Sequence, residues 1–260
     1  MSILYFNRLI LLLLTTGLAG CAPQQKPSAA LSPIHVPHPI PAPRPYLLHI
    51  PGVSGESIVD HTLLQGFRDG HLDADLEIYD WTEHDPGVPA LQAIGRNKKQ
   101  AMKIANRLTA KFRADPRLVI YLTCHSGGAG LAAWALEDLP PDVKVQRVLF
   151  IAPALSPGYD LSRALSHVRD KAYAFYSDRD TVVLSVGTRV FGTIDGVYAD
   201  AAGNKGFTQP AGADPKQYAK LVQFPYDIAW ARLGHYGDHI GPMSTPFARE
   251  ILEPLLEAKP

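Results

Sequence analysis

Cys124-His125-Ser126-Gly127-Gly128 is the stretch on which the reading of this chain turns. It follows a dense apolar run, Leu118-Val119-Ile120-Tyr121-Leu122, and precedes an alanine-rich stretch from Ala129 to Leu139. That succession predicts a strand, a sharp turn and a helix with Ser126 at the apex, the context in which a G-x-S-x-G-like pattern carries meaning. The backbone at such an apex is strained, so only small side chains fit two positions to either side. Gly128 fills one flank, and Cys124, small although not glycine, fills the other. Outside that context the same residues would read as a plain turn leading into a helix.

Working outward, Tyr46 to Ile50 reads as a short apolar strand that ends in Pro51-Gly52-Val53-Ser54-Gly55. Leu76 to Trp81 alternates apolar and polar residues and reads as a second strand. Pro89 to Phe112 reads as one long helix, with Leu91, Ile94, Ala101, Ile104, Ala105 and Leu108 on one face and basic residues on the other. Asp115-Pro116 ends it. Beyond the serine turn, Val145–Ile151, Ala172–Tyr176 and Lys220–Phe224 are strand candidates, Ser185 to Lys216 is glycine-rich and irregular, and Phe247 to Leu256 is a closing helix. Strands alternating with helices predict an α/β domain over residues 46–260, a mostly parallel, doubly wound sheet with helices on both faces. In such sheets sites form beyond the carboxyl ends of the strands, and the polar clusters of interest here sit just after predicted strands.

The 260-residue chain carries 25 basic and 25 acidic residues. This balance gives no electrostatic footprint for nucleic acid or for anionic lipid. It has two cysteines, Cys21 and Cys124. If Cys21 is modified, Cys124 has no partner in the monomer, and it reads as a buried small residue of the turn, not as a nucleophile.

A serine hydroxyl becomes a competent nucleophile when a base, usually histidine, takes its proton and a carboxylate orients that base. Carboxylates follow the strand at Ala172–Tyr176, in Ser177-Asp178-Arg179-Asp180-Thr181-Val182-Val183. Histidines follow the last strand, in His235-Tyr236-Gly237-Asp238-His239. The chain order serine, acid, histidine, together with these motifs, resembles the α/β-hydrolase superfamily from Tyr46 onward. The resemblance implies Asp180, followed after one residue by paired valines, as the acid, with Asp178 as the alternate. It implies His239, about half a dozen residues before the closing helix, as the base, with His235 as the alternate and Gly237 giving the loop freedom to turn. It also implies an oxyanion hole from the N–H groups of Gly127 and Val53. The expected activity is that of a serine hydrolase, an esterase acting on a small or lipid-like acyl substrate with no cofactor. The Ser156–Val168 connection leaves little or no room for a lid domain. The rival expectation is a noncatalytic envelope binding protein on the same scaffold. His235-x-x-x-His239 also has the spacing of a metal pair on a helix, but Gly237 disfavours a helix and no glutamate follows His235, so no metal is expected.

The first twenty residues form a signal segment, with Arg8 ahead of the apolar run Leu9–Leu14. Leu18-Ala19-Gly20-Cys21 resembles the bacterial lipobox. That resemblance implies cleavage before Cys21, lipid on its thiol and new amino group, and a membrane anchor at the cell envelope. With Ala22 next in the chain, it implies an outer membrane where the host has one. Residues 21–45 are proline-rich and predict a stiff, extended tether, in which His35 and His38 read as spacer residues.

Overall fold

The carboxyl ends of six parallel strands form the edge on which the candidate residues meet. The computed structural model describes residues 41–83, 85–181 and 187–257. The expected signal segment, Cys21, most of the expected tether and the valine pair Val182-Val183 lie outside the described residues. The strands are β1 (Tyr46–Ile50), β2 (Asp75–Ile78), β3 (Ile120–His125), β4 (Arg147–Ile151), β5 (Ala172–Tyr176) and β6 (Leu221–Pro225). They are ordered β2-β1-β3-β4-β5-β6, and every pairing is parallel. From β1 the chain moves outward to β2, then returns to place β3 on the other side of β1. The direction therefore reverses between β1 and β3, and a crevice opens there, beyond the strand ends.

Strands β1, β3 and β4 are buried along their whole length, as central parallel strands covered on both faces must be. One face packs under α3 (Ile94–Ala114) and α4 (Gly128–Glu137), through residues such as Ile104, Leu108, Leu131 and Leu136. The other packs under α1 (Ile58–Asp69) and the closing helices α9 (Thr245–Phe247) and α10 (Glu253–Glu257), joined by a π-helical turn at Ala248–Leu252. This is the two-sided arrangement that the strand–helix alternation predicts.

Some elements differ from the sequence expectation. Helix α1 has no counterpart in it. Its apolar residues Leu63, Leu64 and Phe67 are interleaved with a buried Asp60, whose Oδ2 accepts from both the N–H and the hydroxyl of Ser57 at 2.8 and 2.7 Å. The helix expected over Pro89–Phe112 is two, α2 (Val88–Gln92) and α3, parted at Ala93, where ψ is +52°. The irregular Ser185–Lys216 stretch includes α6 (Thr188–Phe191), α7 (Ala202–Lys205) and α8 (Pro215–Tyr218), while the Ser156–Val168 connection contains only α5 (Ser162–Ser166). Helix α1 also holds the chain ahead of α9: Thr62 Oγ1 donates to the Met243 carbonyl at 3.0 Å, and Thr245 Oγ1 donates to the Thr62 carbonyl at 2.9 Å.

Candidate active site

Ser126 has φ +52°, a left-handed conformation that costs a non-glycine residue energy and survives only where its surroundings impose it. They do so here. The Ser126 N–H donates to the Ile151 carbonyl at 3.0 Å, and its own carbonyl accepts from Ala129 at 3.1 Å and Ala154 at 2.9 Å. Helix α4 begins two residues later, so close to β1 that a Cβ on Gly128 would fall 2.4 Å from the Ile50 oxygen and 2.5 Å from that of Pro51. Cys124, on the other flank, is fully buried, with its thiol donating to the Leu149 carbonyl at 3.4 Å. Burial pushes that thiol well above its ordinary pKa, so it is a neutral packing residue.

The loop after β1 brings Val53 against the serine turn. A Cβ on Gly127 would lie 3.7 Å from the Val53 nitrogen. Among the described residues neither the Val53 nor the Gly127 N–H has a hydrogen-bond partner. The two N–H groups follow adjacent strands, β1 and β3, beside a serine and the start of α4, a setting that favours negative charge.

The acid turn after β5 separates its two aspartates. Asp178 is exposed, whereas Asp180 is buried and its Oδ2 lies 2.6 Å from His239 Nδ1. Asn204, buried in α7, fixes this turn by donating to the carbonyls of Ser177 and Asp180, each at 3.2 Å. The histidine loop is drawn to the same turn at Gly237, whose φ is +89° and where a Cβ would fall 2.9 Å from Arg179 Cδ. With no side chain at that position the two loops touch, and His239 reaches the acid.

His239 and His235 take different surroundings. His235 stacks on Trp230 at 5.7 Å and meets Phe247 and Tyr226 edge-on, while its Nδ1 accepts the Gly237 N–H at 3.3 Å. His239 rests instead on the ring of His125, with centroids 4.7 Å apart, and its carbonyl lies 3.1 Å from His125 Nε2. A carbonyl only accepts, so His125 carries its proton on Nε2. The residue next to the serine thus supports the histidine from below.

Two polar groups at the site were not foreseen from sequence. One is the Asn204 clamp. The other is a buried chain behind β3, in which His49 bridges Thr123 Oγ1 and Asp60 Oδ1, both at 2.9 Å. Burial tends to raise the Asp60 carboxyl, but bonds from His49 and Ser57 outweigh it and hold the group below its usual range. The only sequence hint of this chain was Ser57-x-x-Asp60, a capping pattern ahead of an apolar pair.

Burial pushes His235 down to about 4. Burial, followed by the nearby His239, pushes His125 down to about 3. Both are neutral in the folded protein and take up a proton near 6.5 when unfolded. Their contribution is therefore fully present above about pH 6.5 and is lost as pH falls toward 4 and then 3, because the unfolded chain binds the extra protons. Chemical denaturation at pH 7.5 and 4.5 is expected to show a loss on the order of 2 kcal/mol from His235 and a further loss in the same direction from His125. His235→Phe, which suits the same aromatic cluster, should remove the His235 share. An equal pH dependence in variant and wild type would contradict this.

No family model matches the chain, and no curated protein matches it in sequence. Its fold resembles that of an uncharacterized Bacillus cereus protein, at 15% identity over 88% of this chain and 65% of that one, with a TM-score of 0.52. It also resembles Bacillus licheniformis lipase BlEst2 in its mature form, at 16% identity over 85% of this chain and 95% of that one, with a TM-score of 0.48. The Bacillus subtilis ydeN gene product matches at 13% identity over 83% of this chain and all of that one, with a TM-score of 0.48. Six parallel strands with helices on both faces, a serine at a left-handed strand-to-helix turn, and acid and histidine turns after later strands constitute the α/β-hydrolase fold.

Proposed function

We propose that this chain is a serine hydrolase that cleaves a carboxylic ester through an acyl-enzyme. The observation that carries the reading is the 2.6 Å contact of His239 Nδ1 with Asp180 Oδ2 beside a strained serine turn. With Asp180 ionised, Nδ1–H donates to it and leaves the Nε2 lone pair as the base. Ser126 Oγ attacks the acyl carbon, its proton passes to His239, and the negative oxygen is met by the N–H groups of Val53 and Gly127. His239 then protonates the departing alcohol. Water, activated by the same imidazole, releases the acid and restores Ser126. Because His125 stays neutral, the imidazolium of His239 is the only cation created under the reacting centre, and Asp180 balances it.

The same proposal places the enzyme at a membrane, with lipid on Cys21 and residues 22–45 as its tether. The support is the lipobox-like Leu18-Ala19-Gly20-Cys21 and the proline-rich segment that follows it. One labelling experiment tests both halves. A fluorophosphonate probe should label the wild-type chain in the membrane fraction, and Ser126→Ala should abolish the label. Cys21→Ala should release labelled protein or leave the signal segment uncleaved. A folded wild type that takes no label would favour a noncatalytic binding protein, and soluble, unacylated wild type would remove the tether.

A further inference from the structure

A pocket of about 200 Å³ opens beside Ser126, in the crevice between β1 and β3. Its walls come from three places. Val53 belongs to the loop after β1, Ala154 to the loop after β4, and Val88, Leu91, Thr188 and Phe191 to the short helices α2 and α6. Among the described residues no ionisable side chain lines it. Among the described lining residues the hydroxyl besides that of Ser126 is Thr188's, which donates to the Ala199 carbonyl at 2.7 Å. Val88 and Phe191 stay 38% and 43% exposed, so apolar surface faces water until something covers it. The walls are also tied together: the Gly87 N–H ahead of α2 donates to the Val53 carbonyl at 2.7 Å, and Gln92 Nε2 reaches the Phe191 carbonyl at 3.4 Å.

We infer that this pocket takes the acyl chain of the substrate, and that the chain is an uncharged one of about four to eight carbons. The inference rests on the serine-hydrolase reading, since Ser126 in the wall is what places the scissile carbonyl. The size follows from the volume. With a methylene taken as about the size of a liquid water, ~30 Å³, the space holds roughly six or seven such groups. Acetyl would leave most of it empty, and a long-chain acyl group would run past Phe191 into water. Among the described residues the lining offers no partner for a charged or amino-bearing acyl group. Each added methylene that enters the pocket should raise kcat/KM roughly threefold until the space is full.

The test is the acyl-length profile of the detergent-solubilised full chain on p-nitrophenyl esters from acetate to palmitate, with fluorophosphonate labelling in parallel. The expected result is a kcat/KM maximum between butyrate and octanoate, at least roughly tenfold above both acetate and palmitate. Val88→Trp, at a partly exposed position in the pocket wall, should fill the pocket and lower the hexanoate-to-acetate ratio about tenfold. Labelling with a maximum at acetate or palmitate would overturn the acyl-length inference and leave the hydrolase reading standing, as would an unchanged ratio in Val88→Trp. Wild type with neither label nor ester turnover would overturn the hydrolase reading itself, and this inference with it.

Discussion

His239→Ala is expected to lower kcat for ester hydrolysis by about 10⁴- to 10⁶-fold while the protein remains folded. The loss should be that large because the imidazole has no substitute. Asp180 is a buried carboxylate held by its turn. His125 is buried, neutral down to about pH 3, and its Nε2–H is directed at the backbone of residue 239. His235 lies within an aromatic cluster, with Nδ1 turned to its own loop. KM should change little, because the imidazole acts on the proton in flight and not on the bound ester. Steady-state kinetics of His239→Ala and His235→Phe decide the matter. If the first keeps full activity and the second abolishes it, the base is His235 and the proposed proton path is wrong.

Gly128→Ala is expected to be the most damaging single methyl group in the crevice, destabilising the fold by about 3 kcal/mol or more. The added carbon would meet two backbone oxygens, those of Ile50 and Pro51, and backbone cannot swing aside as a side chain does. The helix or the end of β1 must move, and either shift displaces Val53 relative to Gly127. The variant should therefore lose activity even at temperatures where it remains folded. Urea denaturation measures the first effect and probe labelling of the folded fraction the second. A change in stability under 1 kcal/mol would mean that the close approach is not a constraint on the fold.

How far the sequence carried depends on which physics each element obeys. β1 and β5 match their expected bounds because a short, largely buried parallel strand is a mostly apolar run, broken in β1 only by His49. The serine turn was legible for a related reason: strain demands small residues at fixed offsets, and residue size is written in the chain. Helix α1 was illegible because its buried face mixes Leu63 and Phe67 with Asp60, which is acceptable there only through partners from β1 and from its own cap. No periodicity reports such a partnership. The break at Ala93 was hidden as well, since apolar spacing runs through it from Leu91 to Ile94. The acid and the histidine stood as pairs, Asp178 or Asp180 and His235 or His239. What separates the members of each pair is burial and a loop-to-loop contact at Gly237, and both are properties of the assembled turns.

The grip of α1 on the chain before α9 gives the histidine loop a foundation outside itself. Between Leu233 and Thr245 the chain has short-range bonds of its own, and Thr62 adds two from another element, to the Met243 carbonyl and from Thr245 Oγ1. Thr62 is two residues along α1 from Asp60, which is moored through His49 to the strand that leads into the serine. A single helix on the far face of the sheet is thus pinned at one point, through His49, to the strand that leads into Ser126, and at another to the chain that follows the histidine loop. The histidine loop is therefore held from outside as well as by its contact with the Asp180 turn, so a repacking of α1 that never touches the crevice is expected to shift that loop.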